Sequence, residues 1–271
     1  MREIISVISQ KGGVGKTTTV VNLGASLALK GFRVLLIDLD PQGQVATSFN
    51  FEKYDIHAGT VEWLTNKISI KEIIHHSPIH NLDFIPSNLG IENDNLYEHF
   101  NNEHFRILEH SLKKFKFMYD FIIIDCPPSL GKITKSILKL TESVIVPVQC
   151  EYYALKALGN LLKLIKSIKY TDNPNLKYRG FLITMVDLRS NLSRLVLERL
   201  RYTLNGLVFK TIIPRNIRLA EGPLHGKPAI LIDKNSRGAM GYSKLADEIL
   251  NQDGTIDSSL SRPPLKMAEN Y

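Results

Sequence analysis

Cysteine is scarce: Cys126 and Cys150 stand alone in 271 residues, in neither a CxxC pair nor any zinc-ligand spacing. That sets aside a cysteine-built metal site and leaves a reducing cytoplasm as the expected compartment. Long apolar runs are also lacking. No stretch approaches the roughly 18 uninterrupted apolar residues that a membrane-spanning helix needs. The opening MREIISVISQ is too short an apolar run for a secretory leader, and glycines interrupt it at once. Neither an internal repeat nor a low-complexity block occurs.

What is present fits an ordinary globular chain, 44% hydrophobic and 23% charged, long enough to bury a large core. We expect one domain over residues 1–251 and a disordered tail over 252–271, where Gly254, serines and Pro263–Pro264 gather. The net charge of +7 is concentrated in one region. Between Lys177 and Arg237 there are twelve Lys/Arg against four Asp/Glu, an excess of eight. A basic excess confined to one segment points to a polyanion, either nucleic acid or an anionic membrane, or else to a solvated basic surface.

Short β-branched runs alternate with longer helical stretches, the pattern of an α/β fold with a mainly parallel sheet flanked by helices. Strands are expected at 4–9, 33–38, 121–125, 144–148, 181–186 and 208–213, each with the near-continuous apolar character of burial on both faces. Helices are expected at about 16–30, 132–140, 154–169, 192–204 and 238–250.

Between the first strand and the first helix lie Lys11, Gly12, Gly13, Val14, Gly15, Lys16, Thr17 and Thr18. Glycines there let backbone N–H groups wrap phosphates, and the helix start adds its positive end. In such a loop Lys16 reaches the β- and γ-phosphates and Thr17 places its hydroxyl on Mg2+. The usual GxxxxGK[ST] pattern requires glycine at position 10, where this chain has Gln10, and Lys11 is an additional lysine within the loop. The loop is thus a P-loop with a deviant Walker A motif. Two strand-end carboxylates complete it. Asp125 is suited to the Mg2+ shell, and Asp40, in a turn beside the loop, to the shell or to orienting the attacking water.

The segments KGGVGKTTT, DLDPQG and DCPPSLG, and above all Thr211 to Pro228 (TIIPRNIRLAEGPLHGKP), resemble the ParA/Soj partitioning ATPases over residues 1–250. The resemblance implies ATP and Mg2+ as ligands and ATP hydrolysis as the activity. It implies a homodimer in the ATP state, with Lys11 crossing to the partner's phosphates. Met185, Pro214 and Asn216 match adenine contacts; Arg189 and Arg218 match residues that hold double-stranded DNA without regard to sequence. The implied partner is a ParB/Spo0J-like centromere-binding protein, and the implied location is the cytoplasm, on the nucleoid. Gln44 departs from the family, which commonly has Asn there, and residues 49–110 match loosely. Two alternatives stay open: a MinD-like membrane-associated positioning ATPase, which would need an amphipathic helix where the tail has two prolines, and a ParA relative that positions another cargo. Because the first strand begins at Glu3, no helix-turn-helix is expected ahead of it, and DNA contact is expected through phosphates.

Overall fold

A computed structural model describes residues 2–52, 56–88, 100–151, 154–187 and 189–252. Of the expected tail, 252–271, all but Gln252 lies outside them. Seven strands form one sheet: β1 (Glu3–Val7), β2 (Val34–Asp38), β3 (His75–His76), β4 (Leu82–Ile85), β5 (Phe121–Asp125), β6 (Ser143–Gln149) and β7 (Lys177–Thr184). Their spatial order is β3-β4-β2-β5-β1-β6-β7. All pairs are parallel except the edge pair β3–β4.

The central strands are apolar along most of their length because both faces of the sheet are covered. Side chains alternate in direction along a strand. Ile122 and Ile124 of β5 therefore join the core on one side, and Phe121 and Ile123 the core on the other. Helices α1 (Lys16–Leu29) and α11 (Arg237–Asn251) pack on the second face through Val20, Leu23, Leu27, Tyr242 and Leu245. The first face carries α5 (Asn102–Met118), α6 (Lys132–Leu140), α7 (Ala154–Thr171) and α8 (Asn191–Leu204). Burying one such Leu or Ile contributes about 1.5–3 kcal/mol. Short helices α2 (Gln44–Thr47), α3 (Thr60–Leu64), α4 (Ile70–Ile73) and α10 (Ala229–Ile232), with α9 (Ile217–His225), decorate the ends.

One expected strand is not a strand. Residues 208–213 run beside β7 and touch it through isolated bridges, Phe181 to Val208 and Val186 to Pro214. In between, the ladder is interrupted because Glu248 of α11 takes the N–H groups of Lys210 and Thr211, at 2.7 and 2.9 Å. Phe209 instead packs against bare backbone at Gly180, where a Cβ would lie 2.6 Å from the ring. Phe209 and Ile213 still donate to the Phe181 and Ile183 carbonyls of β7, at 3.1 and 2.9 Å, so the run meets the sheet on either side of the break at Lys210 and Thr211.

Because β2 and β6 lie on opposite sides of β1, the chain leaves the middle of the sheet in both directions. A crevice opens there at the carboxyl ends of the strands, the usual ligand position in open α/β sheets. The loops after β1, β2 and β5, which carry the glycine run, Asp38–Asp40 and Asp125, all end in that crevice.

Candidate nucleotide site

The glycine run is a cradle because of its backbone. Gly13 (φ 70°) and Gly15 (φ 89°) are left-handed, a conformation that costs a residue with a Cβ but not glycine. Gly15 precedes α1 without any side-chain cap, and the first turn of that helix holds no acidic residue. The first helical bond runs from the Thr19 N–H to the Gly15 carbonyl at 2.9 Å, so the N–H groups of Lys16, Thr17 and Thr18 are left for a ligand. That helix start favours an anion. The loop is pinned from across the sheet, where the Thr184 hydroxyl at the end of β7 donates to the Val14 carbonyl at 2.9 Å. On the far side of Thr19, its hydroxyl lies 3.1 Å from the Tyr242 hydroxyl of α11.

Lys16 is buried, 7% exposed, with its ammonium 3.7 Å from a carboxylate oxygen of Asp40. The other oxygen of Asp40 accepts the Gln42 N–H at 3.1 Å, closing the turn. Thr17 donates its hydroxyl to Asp125 at 2.6 Å. Asp38 is fully buried and spent on its own loop, accepting the N–H groups of Asp40 and Val45 at 3.0 Å each. Asp38 therefore shapes the turn that presents Asp40. The exposed Gln44 opens α2 immediately after Gly43, whose bare α-carbon faces the Ser87 carbonyl.

The second oxygen of Asp125 is buried and finds no hydrogen-bond partner among the described residues. A buried acceptor left so costs about 1–3 kcal/mol, which a hard cation beside the Thr17 hydroxyl would offset. No group of three or more His, Cys, Asp or Glu suited to a metal occurs among the described residues. That composition fits Mg2+, which takes one or two protein oxygens and completes its shell with water and phosphate. Asp40, expected as a further metal ligand, faces Lys16 in this structure.

Burial pushes the Asp125 carboxyl up to about 7; the nearby Asp40 charge adds to the shift, while Thr17 and Lys16 oppose it. Burial, with Asp125 next to it, moves Asp38 the same way. In an unfolded chain an aspartate titrates near about 4. The nucleotide-free fold thus holds this proton more tightly, so the group's contribution to stability is complete below about pH 4 and is lost as pH rises through 7. The expected result is a melting temperature for nucleotide-free protein that falls more between about pH 5 and 8 in the wild type than in Asp125→Asn. Thermal scans across that range check it; equal slopes would contradict the protonated carboxyl.

At the other end of the crevice, the bridge between Val186 and Pro214 brings Met185 (φ 53°) beside Pro214. Asn216 caps α9, its side-chain oxygen accepting the Arg218 N–H at 3.1 Å. Three residues expected to face partners are engaged within the chain. Lys11 is paired with Glu151 and donates to Gln149 at 3.3 Å. Arg189 grips Asp187 through two hydrogen bonds, at 3.0 and 3.1 Å, and Arg218 pairs with Glu221 at 2.9 Å. The roles of Thr184 and Glu151 carry no signal in the sequence, because each depends on a contact that only the folded chain makes.

An anion cradle fed by a buried lysine, next to a threonine and a carboxylate with an oxygen to spare, belongs to one class of protein. The chain is a P-loop ATPase. The family model described as "AAA domain" matches residues 2–178. The chain is 44% identical over 249 residues to the sporulation initiation inhibitor protein Soj of Bacillus subtilis, spanning 92% of this chain and 98% of that protein. It is 42% identical over 253 residues to the chromosome partitioning protein ParA of Myxococcus xanthus, spanning 92% of this chain and 88% of that one. Among solved structures it is similar to cobyrinic acid a,c-diamide synthase of Mycobacterium smegmatis with bound ADP and magnesium. That likeness has a TM-score of 0.78 at 32% identity and spans 92% and 94% of the two chains. The chain belongs to the ParA/Soj family of partitioning ATPases.

Proposed function

We propose that this chain is a DNA-partitioning ATPase that binds Mg2+-ATP, pairs face to face with a second copy, holds DNA in that state, and lets go on hydrolysis. The observation that carries the reading is the buried Lys16–Asp40 pair under an open anion cradle. A triphosphate draws the Lys16 ammonium to its β- and γ-oxygens and so releases Asp40. The freed carboxylate orients a water toward the γ-phosphorus and takes its proton. Thr17 and Asp125 would hold the Mg2+, which would supply positive charge to neutralise the phosphates. Met185, Pro214 and Asn216 take the base. Lys11 of each copy reaches the phosphates of the other, so hydrolysis dismantles the dimer.

The positive excess between Lys177 and Arg237 supports a DNA face, with Arg189 and Arg218 within it. Such a face acts in the cytoplasm, on the nucleoid, and a ParB/Spo0J-like protein that marks the cargo is the fitting partner. No helix among the described residues is long and apolar enough to cross a membrane. The amphipathic C-terminal helix that a MinD-like reading needs would fall outside them.

Both arginines have an acid beside them, so DNA phosphates must displace Asp187 and Glu221. Removing one phosphate-neutralising charge lowers the slope of log affinity against log salt by roughly 0.9. Arg189→Ala and Arg218→Ala are each expected to weaken duplex binding equally on two unrelated sequences and, because each dimer loses two charges, to flatten the salt slope by about twice that amount. Fluorescence anisotropy over a salt series reads this. Unchanged affinity in both variants would move the DNA face elsewhere in the basic segment.

A further inference from the structure

Lys11 is engaged by partners outside its own loop. Its ammonium is held by the Glu151 carboxylate and by the Gln149 side-chain oxygen at 3.3 Å. Both acceptors stand at the carboxyl end of β6, the strand directly beside β1. The Ile8 N–H donates to the Ile145 carbonyl at 3.1 Å, so the phosphate loop starts out flush with β6. A tight turn, with the Glu151 N–H on the Gln149 carbonyl at 2.9 Å, keeps the two acceptors together. Beside them lies a cavity of about 250 Å3 lined by Ser9, Gln10, Lys11, Gln149, Glu151 and Leu161, so the lysine stem borders open space.

We propose that Glu151 is a positioning residue for Lys11. In the monomer it parks the ammonium away from its own cradle, and it yields the lysine when a second ATP-bound copy presents its phosphates. The proposal rests on the reading that Lys11 acts across a dimer. Three physical points support it. Two lysines in one short loop repel each other, and an acid beside Lys11 relieves that repulsion while leaving Lys16 alone at the cradle. The pair is about half exposed on both sides, 45% and 46%, and ion pairs in that setting bias an equilibrium only modestly, by roughly two- to fivefold. A triphosphate with its several charges overcomes such a hold, and a diphosphate with fewer does so less well. Glu151 thereby sharpens the distinction between ATP and ADP, because each dimer must break two of these pairs.

Sedimentation velocity over a range of protein concentrations, with a non-hydrolysable ATP analogue or with ADP, tests this. Each dimer breaks two pairs and their effects multiply, so Glu151→Gln should dimerise on the order of tenfold more tightly with the analogue and should form detectable dimer with ADP. Glu151→Asp, which keeps the charge on a shorter arm, should fall between Glu151→Gln and the wild type. In a Lys11→Ala background, adding Glu151→Gln should leave dimerisation with the analogue unchanged, because the residue acts only through the lysine. An equal gain in that background would mean a general charge effect and would overturn the proposal. So would a Glu151→Gln dimer no tighter than the wild type, provided that wild type dimerises and Lys11→Ala does not. A wild type that stays monomeric with the analogue would instead remove the dimer reading on which the proposal stands.

Discussion

Lys16→Ala should lose ATP affinity by two orders of magnitude or more. The ammonium is buried, and its contact with Asp40, at 3.7 Å, is one that a phosphate easily displaces. Each charge-assisted hydrogen bond it makes to a phosphate oxygen is worth about 1.5–3 kcal/mol, and two such bonds correspond to roughly 10²- to 10⁴-fold in affinity. The substitution also removes the one nearby charge that lowers the Asp125 carboxyl, leaving Asp38, Asp40 and Asp125 together without a cation. An anion brought into that cluster meets repulsion as well as a missing partner. Titration calorimetry with ATP and Mg2+ measures the loss, and wild-type affinity in the variant would contradict the placement of the phosphates.

Asp40→Ala separates binding from turnover. A general base or water-orienting carboxylate contributes about 10²- to 10⁴-fold, so hydrolysis should fall by that factor. Affinity for ATP should hold or rise, since Lys16 loses the acid that competes with the phosphates. The variant should then accumulate as an ATP-bound dimer, visible by size-exclusion chromatography. Asp40 also accepts the Gln42 N–H, so alanine there costs about 0.5–1.5 kcal/mol of local stability. Asp40→Asn keeps an oxygen for that bond while losing the base, and it should be just as inactive. A variant that turns over ATP normally would deny Asp40 its role.

Much of this arrangement can be read in the chain itself, for physical reasons. β1, β2, β5 and β6 are legible because strands covered on both faces are apolar along most of their length. The phosphate loop is legible because its backbone geometry admits little besides glycine at 13 and 15. Residues 208–213 mislead because they too are largely apolar, but Glu248 intercepts the N–H groups of Lys210 and Thr211 and breaks the ladder between Phe209 and Ile213. Helix α5 has readable signals, an Asn101 cap and Leu108, Leu112 and Phe115 on one buried face, although polar residues dilute them. Edge strands β3 and β4, two and four residues long, are too short for a period to register. Side-chain partners are the least legible layer. Nothing near Lys11 in sequence indicates Glu151, 140 residues away, and nothing near Val14 indicates Thr184. Asp187 is two residues from Arg189, yet only the fold shows that it holds the guanidinium.

The central claim is that ATP switches this chain between a state that holds DNA and one that does not. The most direct test is the affinity of the wild-type protein for a duplex of arbitrary sequence, measured by anisotropy at fixed salt with ATP and with ADP. Doubling the basic faces in a dimer doubles the phosphates neutralised, and non-specific affinity depends steeply on that number. Tight binding with ATP, weak binding with ADP and release as the ATP is consumed are the expected results. Equal affinity in the two nucleotides would contradict the account.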